Sequence, residues 1–184
     1  KTVLELGGNN ALVVFKDANI DATVEECVAA RFHNTGQSCI AGKRLLLQEE
    51  IAEEFLDKFT QKVKALVSGD PLEEDTYIGV MAREDLAEEL EDLMNASIEK
   101  GAELHCGGSR DRTYFAPTIL TNVTSDMPVF KKETFGPLIA VTKFKTEEEA
   151  IKLVNNSKFG LGASLFSNNL KRMEELAAQI KDGA

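Results

Sequence analysis

Short apolar runs alternate along this chain with longer stretches in which apolar residues recur every three or four positions, the pattern of an α/β domain with a mainly parallel sheet. The short runs predict strands over residues 3–6, 11–15, 44–48, 103–106, 115–120, 138–144 and 163–166. Most are brief and apolar, as strands covered on both faces tend to be. Between them, Val24, Cys27, Val28 and Phe32 share one helical face, as do Ile51, Phe55, Phe59 and Val63. Leu86, Leu90, Leu93 and Met94 form a third stripe. A capping box from Thr146 to Glu149 opens a fourth helix that turns Ile151 and Val154 inward. The last helix runs through Leu170, Met173, Ala177 and Ile180. Gly69 followed by Pro71 is expected to end the second helix, because Gly accepts a left-handed conformation and Pro blocks continuation.

The expected fold is therefore an open, twisted, mostly parallel α/β sheet flanked by helices. A length of 184 residues suits one domain with a sizeable core. No internal repeat, low-complexity tract or flexible linker interrupts it. The chain enters directly in an apolar run without Met or a signal-peptide pattern, and its final helical pattern stops at Gly183, which reads as a piece of a longer protein.

Charge and cysteine usage narrow the function classes. Lys and Arg total 21 against 31 for Asp and Glu, a net charge of −10, which excludes a cationic nucleic-acid surface. No run approaches the roughly 20 apolar residues of a membrane-spanning helix. Three widely spaced cysteines read as reduced thiols, with neither a disulfide scaffold nor a metal site, and point to the cytoplasm.

Among these thiols, Cys27 falls on an apolar helical stripe and Cys106 ends a probable strand. Cys39 differs, because it lies in the polar turn "NTGQSC" after a helix, where Gly36 gives backbone freedom. Two chemistries remain open for it. His33, six positions earlier, is a conventional base for a Cys-His hydrolase or acyltransferase. Glu5, read as the carboxyl end of a strand and followed by two glycines, is a base for water attacking a thioester. A non-catalytic assembly module is the third class. Downstream, Glu133 and Phe135 precede the Gly136-Pro137 turn into another strand.

In order and spacing, "LELGG", "NTGQSC" and "ETFGP" together resemble the aldehyde dehydrogenase superfamily, and the likeness extends through Ala116–Leu120, Phe159–Ser167 and the final helix. The resemblance implies that residues 1–184 are that family's catalytic domain, without its dinucleotide-binding domain and terminal strands. It implies NAD or NADP as cofactor, a small aldehyde as substrate and a homo-oligomeric full-length enzyme. Cys39 is then the nucleophile and donor of one oxyanion hydrogen bond from its amide. Glu5 is the base that hydrolyses the thioester, Glu133 binds the nicotinamide ribose, and Phe135 and Leu6 contact the cofactor. The carboxylate of Glu5 favours hydrolysis over transfer to coenzyme A. The surrounding sequence is most similar to the semialdehyde-oxidising branch, such as enzymes of succinate semialdehyde. There an Arg often stands where this chain has His33, and a neutral imidazole lacks the bidentate grip of a guanidinium on a carboxylate. Asn9 replaces a Lys of many relatives, and Ile40 and Ala41 replace a second cysteine, so no disulfide switch is expected at Cys39.

Overall fold

The structure is a computed structural model that describes residues 1–183. Its centre is a six-stranded sheet built from β1 (Asn10–Val14), β2 (Gly42–Gln48), β3 (Glu103–Cys106), β6 (Thr118–Thr121), β7 (Leu138–Phe144) and β8 (Ala163–Phe166), in the order β3-β6-β7-β2-β1-β8. All neighbouring pairs are parallel except β3 against β6. A separate two-stranded ribbon pairs β4 (Arg110–Asp111) with β5 (Tyr114–Phe115).

Alternation along the central strands divides the core. Leu12, Val14, Leu45, Leu47, Ile139 and Val141 face a layer formed by α1 (Ile20–Phe32) and α2 (Ala52–Lys64). On the opposite face, Ala11, Val13, Leu46, Leu138 and Ala140 meet α3 (Glu84–Ile98), α4 (Pro128–Lys131), α5 (Glu147–Val154) and α6 (Leu170–Ala177). Successive side chains of a strand point to opposite faces, so a run such as "ALVVF" supplies both layers. The expected open α/β sheet is thereby confirmed.

Several local expectations need correction. No strand forms over residues 3–6: Val3, Leu4 and Leu6 are exposed and find no partner strand, so Glu5 does not end one. The run over residues 115–120 is broken, because Pro117 has no N–H to give a ladder and Ala116 turns away to bond Ser109. α2 stops at Lys64, before Gly69, since the following residues leave the helix and Val67 accepts the amides of Tyr77 and Ile78. In α6 the inward side chains are Met173 and Leu176, whereas Leu170 and Ala177 face solvent. At the start of α5, Thr146 accepts the Glu149 amide as expected, but the Glu149 carboxylate reaches Lys145, one residue before the cap.

Candidate active site

The site gathers at the amino ends of the parallel strands. The turn with Cys39 runs into β2, the Glu133–Pro137 segment runs into β7, and Asn10 opens β1. This reverses the expectation from Glu5, which placed it at a carboxyl edge.

The turn before Cys39 is held in a strained shape. Asn34 and Thr35 have φ of 53° and 57°, a left-handed backbone that is uncommon for a β-branched threonine. Their neighbours keep it there: Thr35 Oγ1 accepts the Gly79 amide at 3.1 Å and Gln37 Oε1 accepts the Ala82 amide at 2.8 Å. Beneath the turn lies Arg31, in the last turn of α1 and wholly buried. Its guanidinium donates to the carbonyls of Gly42 at 2.9 Å, Gly36 at 3.1 Å and Thr134 at 2.9 Å, and also to Gly136. One planar fork thus joins the Cys39 turn to the Glu133 segment. Burial pushes this guanidinium's pKa down, and the Glu133 carboxylate partly opposes that.

A second buried cation bonds the main chain of Cys39 itself. Lys43 Nζ donates to the carbonyls of Ser38 at 2.8 Å and Cys39 at 2.7 Å, and lies 3.1 Å from Glu133 Oε1. Its side chain is 0% exposed and that of Glu133 19% exposed. Burial lowers the Lys43 pKa, and the Glu133 carboxylate works against the fall. A β-bulge aims it: Asn10 pairs with Gly42 and Ala11 with Arg44, leaving Lys43 as the extra residue of β2. Asn10 completes the grip, donating from Nδ2 to Cys39 O at 3.0 Å and Ala41 O at 3.3 Å while its Oδ1 accepts the Gly162 amide.

The glycines after Leu6 explain themselves here. Gly7 has φ of +75°, and a Cβ on it would strike the Glu133 carboxylate; one on Gly8 would strike Cys39 O. Instead the Gly8 amide donates to Glu133 Oε1 at 3.1 Å. Three stretches distant in sequence therefore meet, through Gly7 and Gly8, the Cys39 carbonyl and Glu133.

Other expected residues are less engaged. Glu5 and His33 are exposed, and the side chain of neither makes a hydrogen bond or ion pair among the described residues, although the His33 amide donates to Ala29 O at the end of α1. Leu6 is 74% and Phe135 38% exposed. Cys39 is partly accessible, whereas burial raises the pKa of the Cys27 and Cys106 thiols. Asn9 is buried, donating to Phe130 O at 2.8 Å while its own carbonyl accepts Arg44 Nε at 2.9 Å. Sequence reading missed Asn10, Arg31 and Lys43. The adjacent "KR" opening a buried strand was the available signal, since charged residues are seldom fully buried without partners. Among the described residues no group of three metal-ligating side chains forms, and no helix is long and apolar enough to cross a membrane.

The profile of the aldehyde dehydrogenase family matches residues 1–184. The succinate semialdehyde dehydrogenase Sad of Escherichia coli (strain K12), named as using NAD(P)+, is 40% identical over 186 residues, covering 100% of this chain and 40% of the relative. A lactaldehyde dehydrogenase of Methanococcus aeolicus is 40% identical over 183 residues, covering 100% of this chain and 39% of the relative. The crystal structure of succinate-semialdehyde dehydrogenase from Burkholderia pseudomallei superposes with a TM-score of 0.95 at 38% identity, over 98% of this chain and 38% of that one. The chain thus spans about two fifths of the length of these relatives. With sequence and architecture matched from end to end, this chain belongs to the aldehyde dehydrogenase family.

Proposed function

We infer that this chain is the catalytic domain of an NAD(P)-dependent dehydrogenase that oxidises a small aldehyde, such as succinate semialdehyde, to a carboxylic acid. The observation that carries the reading is the meeting of Gly7, Gly8, Cys39 and Glu133 around Lys43. The Cys39 sulfur adds to the aldehyde carbon, and the Cys39 amide faces the oxygen on which negative charge collects; one such donor lowers the barrier by ~3 kcal/mol.

The residues present fit a nicotinamide cofactor. Glu133 Oε1 is fixed by Lys43 and Gly8, while Oε2 accepts no hydrogen bond among the described residues and is free for a vicinal diol. Phe135 leaves part of its ring open to a flat partner. The cofactor supplies the hydride acceptor that takes the chemistry to a thioester on Cys39. Glu5 then removes a proton from water, which attacks the thioester and frees the acid. The contact of Gly8 with the Cys39 carbonyl, three residues after Glu5, supports this role for the Glu5 carboxylate.

Relatives named for succinate semialdehyde, lactaldehyde and 3-sulfolactaldehyde support a small polar aldehyde. With His33 exposed at the turn, the grip on a substrate carboxylate is weaker than a guanidinium gives. The test is made in the full-length enzyme. Cys39→Ser is expected to abolish NAD(P)H formation, and Glu5→Gln to accumulate an acyl adduct on Cys39 visible by intact mass. A Glu5→Gln enzyme that turns over at the parent rate with no adduct would remove Glu5 from the mechanism.

A further inference from the structure

Lys43 has no part in the chemistry described so far, yet it is among the most costly side chains to bury in the molecule. Its ammonium is fully enclosed, and its three partners are two successive carbonyls of the nucleophile turn and the Glu133 carboxylate. An ion pair alone does not require the carbonyls. Their arrangement has a stereochemical result: in a trans peptide the C=O and N–H point in opposite directions. Drawing the Ser38 carbonyl inward to Nζ turns the N–H of the same peptide, which belongs to Cys39, outward. That N–H donates to no acceptor among the described residues. The Ser38 carbonyl also accepts the Ala41 amide at 3.2 Å, and the Cys39 carbonyl the Asn10 side chain at 3.0 Å, so both flanking peptide planes are pinned. A cation on the carbonyl oxygen further polarises the peptide and strengthens its N–H as a donor.

We propose that Lys43 is a positioning residue for oxyanion stabilisation: placed by the β2 bulge, it fixes and polarises the Ser38–Cys39 peptide so that the Cys39 amide faces the reacting carbonyl oxygen. The ion pair with Glu133 sets this donor in register with the segment assigned to the cofactor. The inference rests on Cys39 being the nucleophile.

The full-length enzyme that contains this chain, and its variants, are treated with two reagents. With para-nitrophenyl acetate, the Cys39 thiolate adds to the ester carbonyl and negative charge moves onto its oxygen. Collapse expels para-nitrophenolate and leaves an acetyl thioester. With iodoacetamide, the same sulfur displaces iodide at carbon and no oxyanion forms. Both reagents consume the thiolate, so the ratio of acetylation to alkylation rates at Cys39, mapped by peptide mass spectrometry, cancels changes in thiolate population.

Lys43→Met is expected to lower the ratio about 10-fold, part of the ~10²–10³ that outright loss of an oxyanion donor costs. Lys43→Arg keeps the charge and the donors, and restores the ratio to within about threefold. Because Lys43→Met also strands the Glu133 carboxylate, the double variant Lys43→Met/Glu133→Gln is run beside it and shows the same fall while melting cooperatively. An unchanged ratio in both, no rescue by Arg, or loss of cooperative melting in both overturns the proposal. If Cys39→Ser acetylates as fast as the parent, the nucleophile assignment fails and takes this inference with it. Acetylation at Cys39 with an unaltered ratio sinks the inference alone.

Discussion

At the scale of single residues, the site is organised by two buried cations whose partners are mostly main-chain oxygens. Arg31 shows how much hangs on one side chain, since its guanidinium satisfies the carbonyls of Gly36, Gly42, Thr134 and Gly136 together. Each hydrogen bond to a charged group is worth ~1.5–3 kcal/mol, and a buried carbonyl left without its donor bears a desolvation penalty. Arg31→Met is therefore expected to destabilise the chain by more than ~3 kcal/mol in urea unfolding. Arg31→Lys recovers only part of that loss, because an ammonium lacks the planar fork that reaches both segments. A loss below ~1 kcal/mol for Arg31→Met would mean that the two segments hold each other without it. The sequence marked Lys43 only as an unusual charge at the start of a buried strand, and neither cation's place in the site was legible. Arg31 occupies a helical position that looks like an ordinary basic last turn, and Lys43 depends on a bulge that no local pattern announces.

At the scale of elements, periodicity was readable where both layers of helices press on a strand. β1, β7, α1 and α2 stand close to where alternation and the helical stripes put them. It failed where an element needs something the period does not encode. The apolar run at residues 3–6 has the composition of a strand without a neighbour to pair with. The β4–β5 ribbon turns at Arg112 with φ of 51°, a conformation that arginine does not advertise as Gly or Asn do. Pro117, by contrast, was a visible signal that the run over residues 115–120 had to break. The α5 cap was legible in its hydroxyl half. Thr146→Ala removes the acceptor of the Glu149 amide and is expected to cost about 1 kcal/mol, read as a lower thermal midpoint with the Cys39 acetylation rate unchanged.

At the scale of the whole molecule, the three motifs that carried the resemblance are brought together because they occupy the amino edge of one sheet. On the proposed reading, that arrangement divides the reaction. The thiol, its amide and Glu133 belong to this chain, whereas no glycine-rich phosphate cradle stands in its sequence. The chain alone is expected to acetylate Cys39 yet form no NAD(P)H from aldehyde; steady NADH production at 340 nm by the isolated chain would contradict the division of labour. The bulge in β2 carries a last consequence, for what insertion and deletion do here. Gly42 and Arg44 already pair with consecutive residues of β1, so excising Lys43 would leave a ladder with no irregularity to repair. The shorter chain would have the more regular sheet and the disarmed cysteine. A search for stable variants that scores backbone regularity would favour that deletion, whereas one that scores acyl transfer would reject it.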